Sequence, residues 1–582
     1  MTENDTSATA AAGVAEDASG RCCGPARRFF ACWLPWAIFA AVLATYVLTE
    51  VHGFTPAYSE CDPDGYVFLA KRMATGQPLF VNSTDPFRYQ QHMWVETAPG
   101  RVTSKYAPGY PVLLAVAYRL GGDKGMFVVS PIMGGLALVG AWLLFRLWLK
   151  PFGAVLSLLT LALLPEYTFY SAYLLTHATS LCLTVWGMYF LWRWLARPVP
   201  GWGLAAGAAL GASVVVRPTD ALLVLPMAVA AAAVLWKAHR AGQRLPWRGV
   251  AAMLAAWGLF VWIQALYNYA MFGGLTVSGY ALSGEQSSFS AAYFARYSTL
   301  LASGLTREFL PVIFPLALAG MLLWGPTLDR TLRLLWFVPV LITYGSYYWV
   351  NDNWSYLRFF MSTLPVCIGS AYALVEGEQA WRPARVGAAL VVLGLFIGVT
   401  APGLRRAVQG ELIGHNPTEL ARTARLLAAK VPTNAVFFSQ APLASSLSSR
   451  ESYTIYELDT FRRRGLARFR DADPREWERE PRRQPERTRR MREFYEKATD
   501  EGLLDSERTI VKANLAAGRK VFFLVPPYQR DQEKRTLGPG YDWTTVEEWD
   551  PGLWDWVGRA QGQRWGLYAV TTSTLAFTGS IP

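Results

Sequence analysis

The sequence YSECDPDGYVFLAKRMATGQPLF (residues 58–80) opens a segment that extends to residue 121 and around which the rest of the chain is arranged. After a polar insert with a hairpin-like pattern, it closes with TSKYAPGYPVLLAVAYRLG (residues 103–121). Asp62 and Asp64 stand directly ahead of apolar residues at helical spacing, which predicts an amphipathic helix lying along a surface. A charged loop of this length, placed where the chain first leaves an apolar segment, predicts a functional loop.

The composition is that of a membrane protein. The chain has 582 residues, of which 52% are hydrophobic and only 17% are charged, whereas a soluble protein carries about 25% charged residues. The apolar excess lies before about residue 403, in long runs with few or no charges at 33–48, 127–145, 204–216 and 386–399. Such runs predict transmembrane helices, so the predicted class is a polytopic α-helical membrane protein.

Clusters of Lys and Arg between the apolar runs mark the cytoplasmic side of the membrane. They alternate consistently if about eleven helices cross it, near residues 30–50, 126–146, 152–171, 177–195, 201–216, 219–237, 249–271, 308–324, 334–350, 357–375 and 384–402. This scheme puts the N-terminus in the cytoplasm and the C-terminus outside, in what we expect to be the cell (inner) membrane.

The scheme requires that residues 109–120 do not cross the membrane. This segment is too short to span ~30 Å of hydrocarbon, which needs about 20 helical residues. Pro108 and Pro111 stand at its start and suit a helix that begins at the interface. We therefore predict an interfacial or re-entrant helix here.

Three parts of the chain follow from these patterns. We predict that residues 1–28 form a disordered cytoplasmic tail. Residues 29–405 are predicted to form a transmembrane domain, with residues 51–125 as its first extracytoplasmic catalytic loop. Residues 406–582 are predicted to form an extracytoplasmic soluble α/β domain. Within this last part, strands are predicted at 435–439, 453–458, 520–525 and 568–572. Helices are predicted at 487–504 and 505–517, with Gly518 as the stop signal.

The net charge of +12 does not indicate a nucleic-acid partner, because much of it comes from one late segment. Residues 461–497 hold fourteen Arg and Lys against eight Asp and Glu. Such a segment fits either a solvated helical face with ion pairs or an anion-binding patch. The six cysteines show no paired or metal-type spacing, and Cys22 and Cys23 are either acylated or inert.

Several motifs follow one another in a specific order before residue 400. They read DPDGYVFLA (residues 62–70), KYAPGYPVLL (residues 105–114), RPTD (residues 217–220) and YLRFF (residues 356–360), the last followed by Leu364 and Pro365. In order and placement they resemble the polyprenyl-phosphate-sugar-dependent membrane glycosyltransferases of the GT-C type. Relatives of that family include the dolichyl-phosphate-mannose protein mannosyltransferases and the lipid A aminoarabinose transferases.

The resemblance implies transfer of a sugar from a polyprenyl-phosphate donor to a hydroxyl of a lipid, glycan or protein acceptor, outside the cytoplasm. By alignment to the family motif, Asp62 takes the position of the catalytic base, and Asp64 that of a neighbour that orients an acceptor or a cation. Chemistry sets the same requirements. A base must take the proton of the acceptor, and the departing phosphate needs cations.

The candidate substrate- and phosphate-binding residues are Lys105, Tyr106, His177, Arg217 and Arg358. His177 stands where many relatives carry a second acidic residue, which weakens the case for a divalent cation between two carboxylates and leaves the metal open. Each group also has a structural interpretation. The histidine fits a packed polar residue, the arginines fit side chains that snorkel to the interface, and the aspartates fit a helix cap.

Two other functions fit parts of the pattern. A transporter or flippase of a polyprenyl-linked substrate also uses buried charges and broken helices, and a non-catalytic membrane scaffold would use the α/β domain to bind a partner. The ionisable residues gather at one face and no two-fold repeat is visible, which favours the transferase. The long outer loop at 273–307 is a candidate lid over the site.

Overall fold

The computed structural model describes residues 33–54, 56, 62–82, 93–348, 350, 353–377, 383–408, 425–432, 434–439, 451–454, 500–549 and 564–573. The predicted tail at 1–28 and the basic segment at 461–497 lie outside the described residues.

The chain is mainly helical up to residue 408. Its α-helices are α1 (Leu34–His52), α2 (Asp62–Thr75), α3 (Gly109–Met126), α4 (Val129–Trp148), α5 (Pro151–Ala162), α6 (Pro165–Ala172), α7 (His177–Ala196), α8 (Pro200–Val216), α9 (Val224–Arg240), α10 (Trp247–Phe272), α11 (Gly279–Leu282), α12 (Ala291–Gly304), α13 (Ile313–Leu323), α14 (Thr327–Gly345), α15 (Trp354–Leu357), α16 (Leu364–Glu376) and α17 (Pro383–Val408). Shorter pieces with other hydrogen-bond patterns are the 3₁₀ turns Pro218–Leu223, Glu285–Ser287 and Arg358–Thr363 and the π-helical turn Leu305–Phe309.

Helices occupy the eleven predicted crossing positions, and the chain is an integral multi-pass membrane protein. Within the described part of the chain, six helices are long and apolar enough to span a membrane, or up to eight if each of two bent pairs forms one span. The bends measure 59° between α5 and α6 and 108° before α13. Pro165 and Pro311 stand at these breaks, because proline removes a helical hydrogen bond and restricts the residue before it. The number of crossings stays a prediction.

Helix α3 contains the segment that was predicted not to cross. It is broken at Gly121 and Gly122, whose backbone angles are not helical, and Gly122 has a φ of +61°, which suits glycine. The helix before the break is only ~18 Å long at a rise of 1.5 Å per residue. This length agrees with a helix that stays at the interface.

The predicted hairpin-like insert forms a small antiparallel sheet. It consists of β1 (Val81–Asn82), β2 (Trp94–Ala98) and β3 (Arg101–Ser104), in the order β1-β3-β2. Strand β3 runs directly into Lys105 and Tyr106, and α2 packs against this junction at Gly65. A Cβ atom at Gly65 would lie 2.7 Å from both Ser104 Oγ and the Tyr106 ring. The sheet thereby holds Tyr106 against the start of α2.

We predict that Gly65→Ala lowers the stability of the protein by about 1–3 kcal/mol, because an added methyl group in a filled contact pushes its neighbours apart. The measurement is the melting temperature of the detergent-purified protein. Gly258→Ala in α10 is the matched control, since nothing lies within 4 Å of a Cβ atom there, and its melting temperature should not fall. A Gly65→Ala protein that melts like the wild type would contradict this close contact.

The region after residue 425 forms an α/β unit. Its sheet contains β4 (Val436–Ser439), β5 (Glu451–Thr454), β6 (Val521–Val525), β7 (Tyr541–Trp549) and β8 (Trp565–Thr572), in the order β5-β4-β6-β8-β7. Strands β5, β4 and β6 are parallel, whereas β6, β8 and β7 are antiparallel. Helices α18 (Asp500–Ala516) and α19 (Pro527–Leu537) accompany the sheet. The predicted α/β class of this region is confirmed.

Three details of this region differ from the sequence prediction. The predicted helix boundary at residues 504–505 is wrong, because α18 continues through Asp505 and ends before Gly518, which has a φ of +72°. Strand β7 and helix α19 were not predicted. Both are rich in charged residues and lack a clear apolar period, since β7 is largely solvent-facing and α19 buries few side chains.

Candidate active site

Asp62 opens α2, and its carboxylate is held by side chains from two distant parts of the chain. Tyr106 Oη donates a hydrogen bond to Asp62 Oδ1 at 2.6 Å, and Arg358 Nη2 lies 3.0 Å from Asp62 Oδ2. The side chains of Asp62 and Arg358 are only 16% and 7% exposed. Both carboxylate oxygens therefore accept from strong donors, as expected for an ionised group.

The Tyr106 hydroxyl is a fixed donor toward Asp62. Its ring stacks on Tyr66 at a centroid distance of 4.1 Å, and Tyr110 meets Tyr66 edge-on at 5.3 Å. Burial and the neighbouring negative charge of Asp62 raise the pKa of Tyr106 well above its usual range. Tyr106 consequently remains protonated and keeps its hydrogen bond to the carboxylate.

Arg217 and His177 form a second contact in the same region. Arg217 Nη1 lies 3.3 Å from His177 Nδ1, and Arg217 Nη2 donates to Tyr344 Oη at 2.6 Å. Because arginine is a donor only, Nδ1 of His177 must accept, which leaves the proton of a neutral imidazole on Nε2. His177 is therefore neutral and presents an N–H group.

The ring of Phe359 joins this contact to the Asp62 group. Its centroid lies 5.3 Å from the guanidinium of Arg358 and 5.7 Å from that of Arg217. It also stacks on Tyr344 at 4.8 Å. Two guanidinium groups from different loops thus meet at one aromatic ring, which concentrates positive charge close to Asp62.

Lys105 is buried and forms an ion pair with Glu285. Its ammonium lies 5.5 Å from the ring centroid of Tyr106 and 5.4 Å from that of Tyr280. Gly279 packs directly on the backbone of Lys105, where a Cβ atom would lie 2.3 Å from the Lys105 carbonyl oxygen. The segment that was predicted as a lid therefore lies over Lys105 and supplies its counter-charge.

The structure brings most of the predicted site residues together. Tyr106 and Arg358 both bond to Asp62, and Arg217 and His177 join this group through the ring of Phe359. Lys105 adjoins Tyr106, although its charge is directed to Glu285. Asp64 lies in the first turn of α2 and is 6% exposed. Asp62 is partly exposed and the other side chains are buried, so neither Arg217 nor Arg358 snorkels to the surface.

Four side chains of the site were not predicted, namely Tyr66, Glu285, Tyr344 and Phe359. Tyr66 and Phe359 stand inside the DPDGYVFLA and YLRFF motifs, so their position in a motif was a usable signal. Glu285 and Tyr344 lie outside every motif. Only the folding of a loop and of α14 onto the site brings them within contact.

Among the residues that the structure describes, those of the candidate site do not fit a divalent cation. Among the described residues, no group of three or more His, Cys, Asp or Glu side chains is able to hold a metal ion. Both oxygens of Asp62 already accept from Tyr106 and Arg358, and His177 faces a guanidinium. The positive charge around Asp62 is thus supplied by arginine side chains.

The site is carried by a helical bundle, with Asp62 at the start of α2 and Arg217 and Arg358 at the turns that precede α9 and α16. Comparisons with known proteins show what this chain is similar to. Residues 105–263 match the family model for dolichyl-phosphate-mannose-protein mannosyltransferase. This part includes Lys105, Tyr106, His177 and Arg217, but neither Asp62 nor Arg358. A comparison with curated proteins gives no match.

Solved structures of GT-C proteins share the fold over almost the whole chain. ArnT from Cupriavidus metallidurans bound to undecaprenyl phosphate has a TM-score of 0.57 at 13% identity, covering 94% of this chain and 99% of that chain. The same protein in the apo state has a TM-score of 0.53 at 13% identity, covering 92% and 97%. The predicted resemblance to the GT-C-type membrane glycosyltransferases is confirmed, and the protein has their fold.

Proposed function

We propose that this protein is a membrane glycosyltransferase that moves a sugar from a polyprenyl-phosphate donor to an acceptor hydroxyl outside the cytoplasm. The observation that carries the proposal is the Asp62 carboxylate, which is held between Tyr106 and Arg358 beside a second guanidinium from Arg217. The fold shared with ArnT, which was solved with undecaprenyl phosphate, and the family match over residues 105–263 support it.

Asp62 acts as the general base in this proposal. The acceptor oxygen attacks the anomeric carbon of the sugar while its proton passes to Asp62, and the bond from that carbon to the phosphate oxygen breaks. The products are the glycosylated acceptor and the polyprenyl phosphate. Because a phosphate is already a stable leaving group, the site needs no strong general acid, unlike the hydrolysis of glycosides.

The arginines receive the phosphate group of the donor. A guanidinium pairs with phosphate through parallel hydrogen bonds, and both Arg358 and Arg217 are buried where the dielectric is low and such bonds are strong. Binding of the phosphate draws Arg358 away from Asp62 and thereby frees Oδ2 to accept a proton. Oδ1 stays fixed by Tyr106, which keeps the carboxylate oriented.

Lys105 is the third cation in this proposal, and Glu285 is the carboxylate that the donor phosphate would replace as its partner. Lys105 is 3% exposed and already paired, so the donor phosphate must compete with the Glu285 carboxylate for it. The lid segment that carries Glu285 would then move as the donor binds.

Glu285→Gln is expected to tighten donor binding about fivefold, because the glutamine keeps a carbonyl oxygen for Lys105 but removes roughly 1 kcal/mol of competing charge attraction. The measurement is the dissociation constant of a polyprenyl-phosphate sugar for the purified protein. Glu308→Gln is the matched control, since Glu308 is exposed in the π-helical turn Leu305–Phe309. Unchanged affinity in Glu285→Gln would show that Lys105 does not receive the phosphate.

The function itself is tested with purified protein in sealed vesicles, supplied with polyprenyl-phosphate sugars and with lipid, glycan and peptide hydroxyl acceptors. Formation of a glycosylated acceptor is expected. Movement of the lipid-linked sugar across the membrane without any product would instead establish a transporter. Neither product nor movement, with every acceptor class, would favour a scaffold.

We also propose the orientation and the domain boundaries that the sequence predicts. Residues 29–405 form the membrane domain, the N-terminus lies in the cytoplasm, and residues 406–582 form the outer α/β domain of a protein of the cell membrane. Single cysteines introduced after residue 500 should react with a membrane-impermeant thiol reagent in intact cells. Labelling only after the membrane is broken would reverse the orientation.

A further inference from the structure

Arg333 lies on α14, toward the opposite end of this helix from the candidate active site. Helix α14 reaches the site at Tyr344, which bonds to Arg217, and Arg333 stands ~16 Å earlier along the same helix at 1.5 Å per residue. Helix α7 likewise begins in the site at His177 and carries Trp192 near its other end. The two helices therefore connect the site with a second cluster, on the side predicted as cytoplasmic.

The second cluster consists of Arg333, Trp148 and Trp324 and is called the Arg333 cluster below. The side chain of Arg333 is fully buried, with 1% exposed. Its guanidinium lies 4.8 Å from the ring centroid of Trp148 and 4.6 Å from that of Trp324. Among the described residues, Arg333 Nε and Nη1 and the indole nitrogens of both tryptophans have no hydrogen-bond acceptor. Several N–H donors thus meet in one place without an acceptor.

Burying such a cluster costs free energy, and an anion with several oxygen acceptors would offset part of this cost. The attraction between a guanidinium and two indole rings offsets only a part of the cost of taking the charge out of water. Donors without acceptors are themselves costly in a buried position. A group with several negative oxygens satisfies both requirements, and phosphate matches the planar fork of arginine. Basic pockets between transmembrane helices commonly hold lipid headgroups.

Asp329 is the carboxylate that faces the cluster. It stands one turn before Arg333 on α14 and its charge attracts Arg333, yet Nε and Nη1 of Arg333 do not bond to it. Arg330 is directed away, since it donates to the Leu322 carbonyl oxygen at 3.1 Å. Trp324 and Asp329 are only half-buried, so the guanidinium lies one side chain below the surface.

We propose that the Arg333 cluster is a binding site for a phosphate group, either the headgroup of an anionic membrane lipid or free phosphate. This site is distinct from the candidate active site and does not depend on the proposed transferase function. Bound phosphate would accept the N–H groups of Arg333 and of the two indoles, and Trp324 would shift to admit it.

The test measures binding to the full-length protein in neutral detergent, by native mass spectrometry and by the shift in melting temperature. The probes are phosphatidylglycerol, phosphate-free diacylglycerol and inorganic phosphate. We expect one tightly held phosphatidylglycerol, no tight diacylglycerol, and an affinity that falls by about tenfold or more in Arg333→Met, because charge-assisted hydrogen bonds are lost. Competition by inorganic phosphate would identify a site open to free phosphate, and its absence would identify a lipid site.

Two further variants keep the test decisive. Arg330→Met removes a cation from the same helix and is expected to change the affinity less than about threefold. Asp329→Asn removes the competing carboxylate and should tighten binding about threefold, which can be measured even if Arg333→Met does not fold. Equal binding by the wild type, Arg333→Met and Asp329→Asn would overturn the proposal.

Discussion

Asp62→Asn is expected to lower kcat for sugar transfer by about 100- to 10,000-fold, the usual contribution of a general base. Asparagine has nearly the same shape and still accepts a hydrogen bond from Tyr106, but it is unable to take the acceptor proton. Donor binding should remain at least as tight, since Arg358 no longer divides its charge between the carboxylate and the phosphate. Initial rates and donor dissociation constants of the purified variant measure both effects.

Asp64→Asn is the matched control for this prediction. Asp64 lies two residues further along α2 and is more buried than Asp62, so the substitution is expected to cost at least as much for folding. Its expected effect is on the KM of the acceptor, because the family resemblance gives Asp64 the position of a neighbour that orients an acceptor or a cation. Normal transfer in Asp62→Asn together with abolished transfer in Asp64→Asn would reverse the assignment of the base.

Arg358→Gln is expected to lower kcat/KM by about 100- to 1,000-fold, which is typical for removing a donor that stabilises developing negative charge. The loss should appear in both the donor affinity and the rate, because the departing phosphate carries more charge on its leaving oxygen than the bound donor does. Arg358→Lys should be intermediate, since lysine keeps the charge but not the planar fork. Steady-state kinetics over a range of donor concentrations separate the two effects.

Arg405→Gln is the control for a role that is merely interfacial. Arg405 is an exposed arginine near the end of α17, as expected for a side chain that snorkels, and its loss should leave kcat/KM unchanged. The double variant Asp62→Asn/Arg358→Gln should lose less than the product of the two single losses, because the side chains are in contact. Activity of Arg358→Gln equal to that of Arg405→Gln would remove Arg358 from the site.

Much of the candidate site was predictable because its residues stand in short motifs next to helix ends. Asp62 precedes an amphipathic helix, and Tyr106 follows a polar insert and precedes two prolines; both patterns are local. Arg217 and Arg358 were identified by the positions of their motifs between apolar runs. Their contacts were not predictable, since Arg358 reaches Asp62 across 296 positions of the chain.

The contacts of Glu285 and Arg333 were not predictable from the sequence. Glu285 looks like any polar residue of a long outer loop, and only the packing of Gly279 on Lys105 reveals that it is a counter-charge. Arg333 looks like an ordinary cytoplasmic marker beside an apolar run. Its burial between two indole rings depends on how the ends of three helices meet.

Local sequence patterns established the membrane class and the positions of the helices, and they predicted that Asp62, Lys105, Arg217 and Arg358 gather at one face of the bundle. These properties follow from local composition and from the length that a helix needs to span hydrocarbon. The tertiary structure alone decided which cation holds which carboxylate: Arg358 pairs with Asp62, and Lys105 pairs with Glu285. Ion pairs depend on distances of a few ångströms between segments that are far apart in the chain, and local patterns carry no such distances. The sequence of residues 58–121 thus predicted where the candidate site is located, and the tertiary structure showed which charged side chains pair with Asp62 and Lys105.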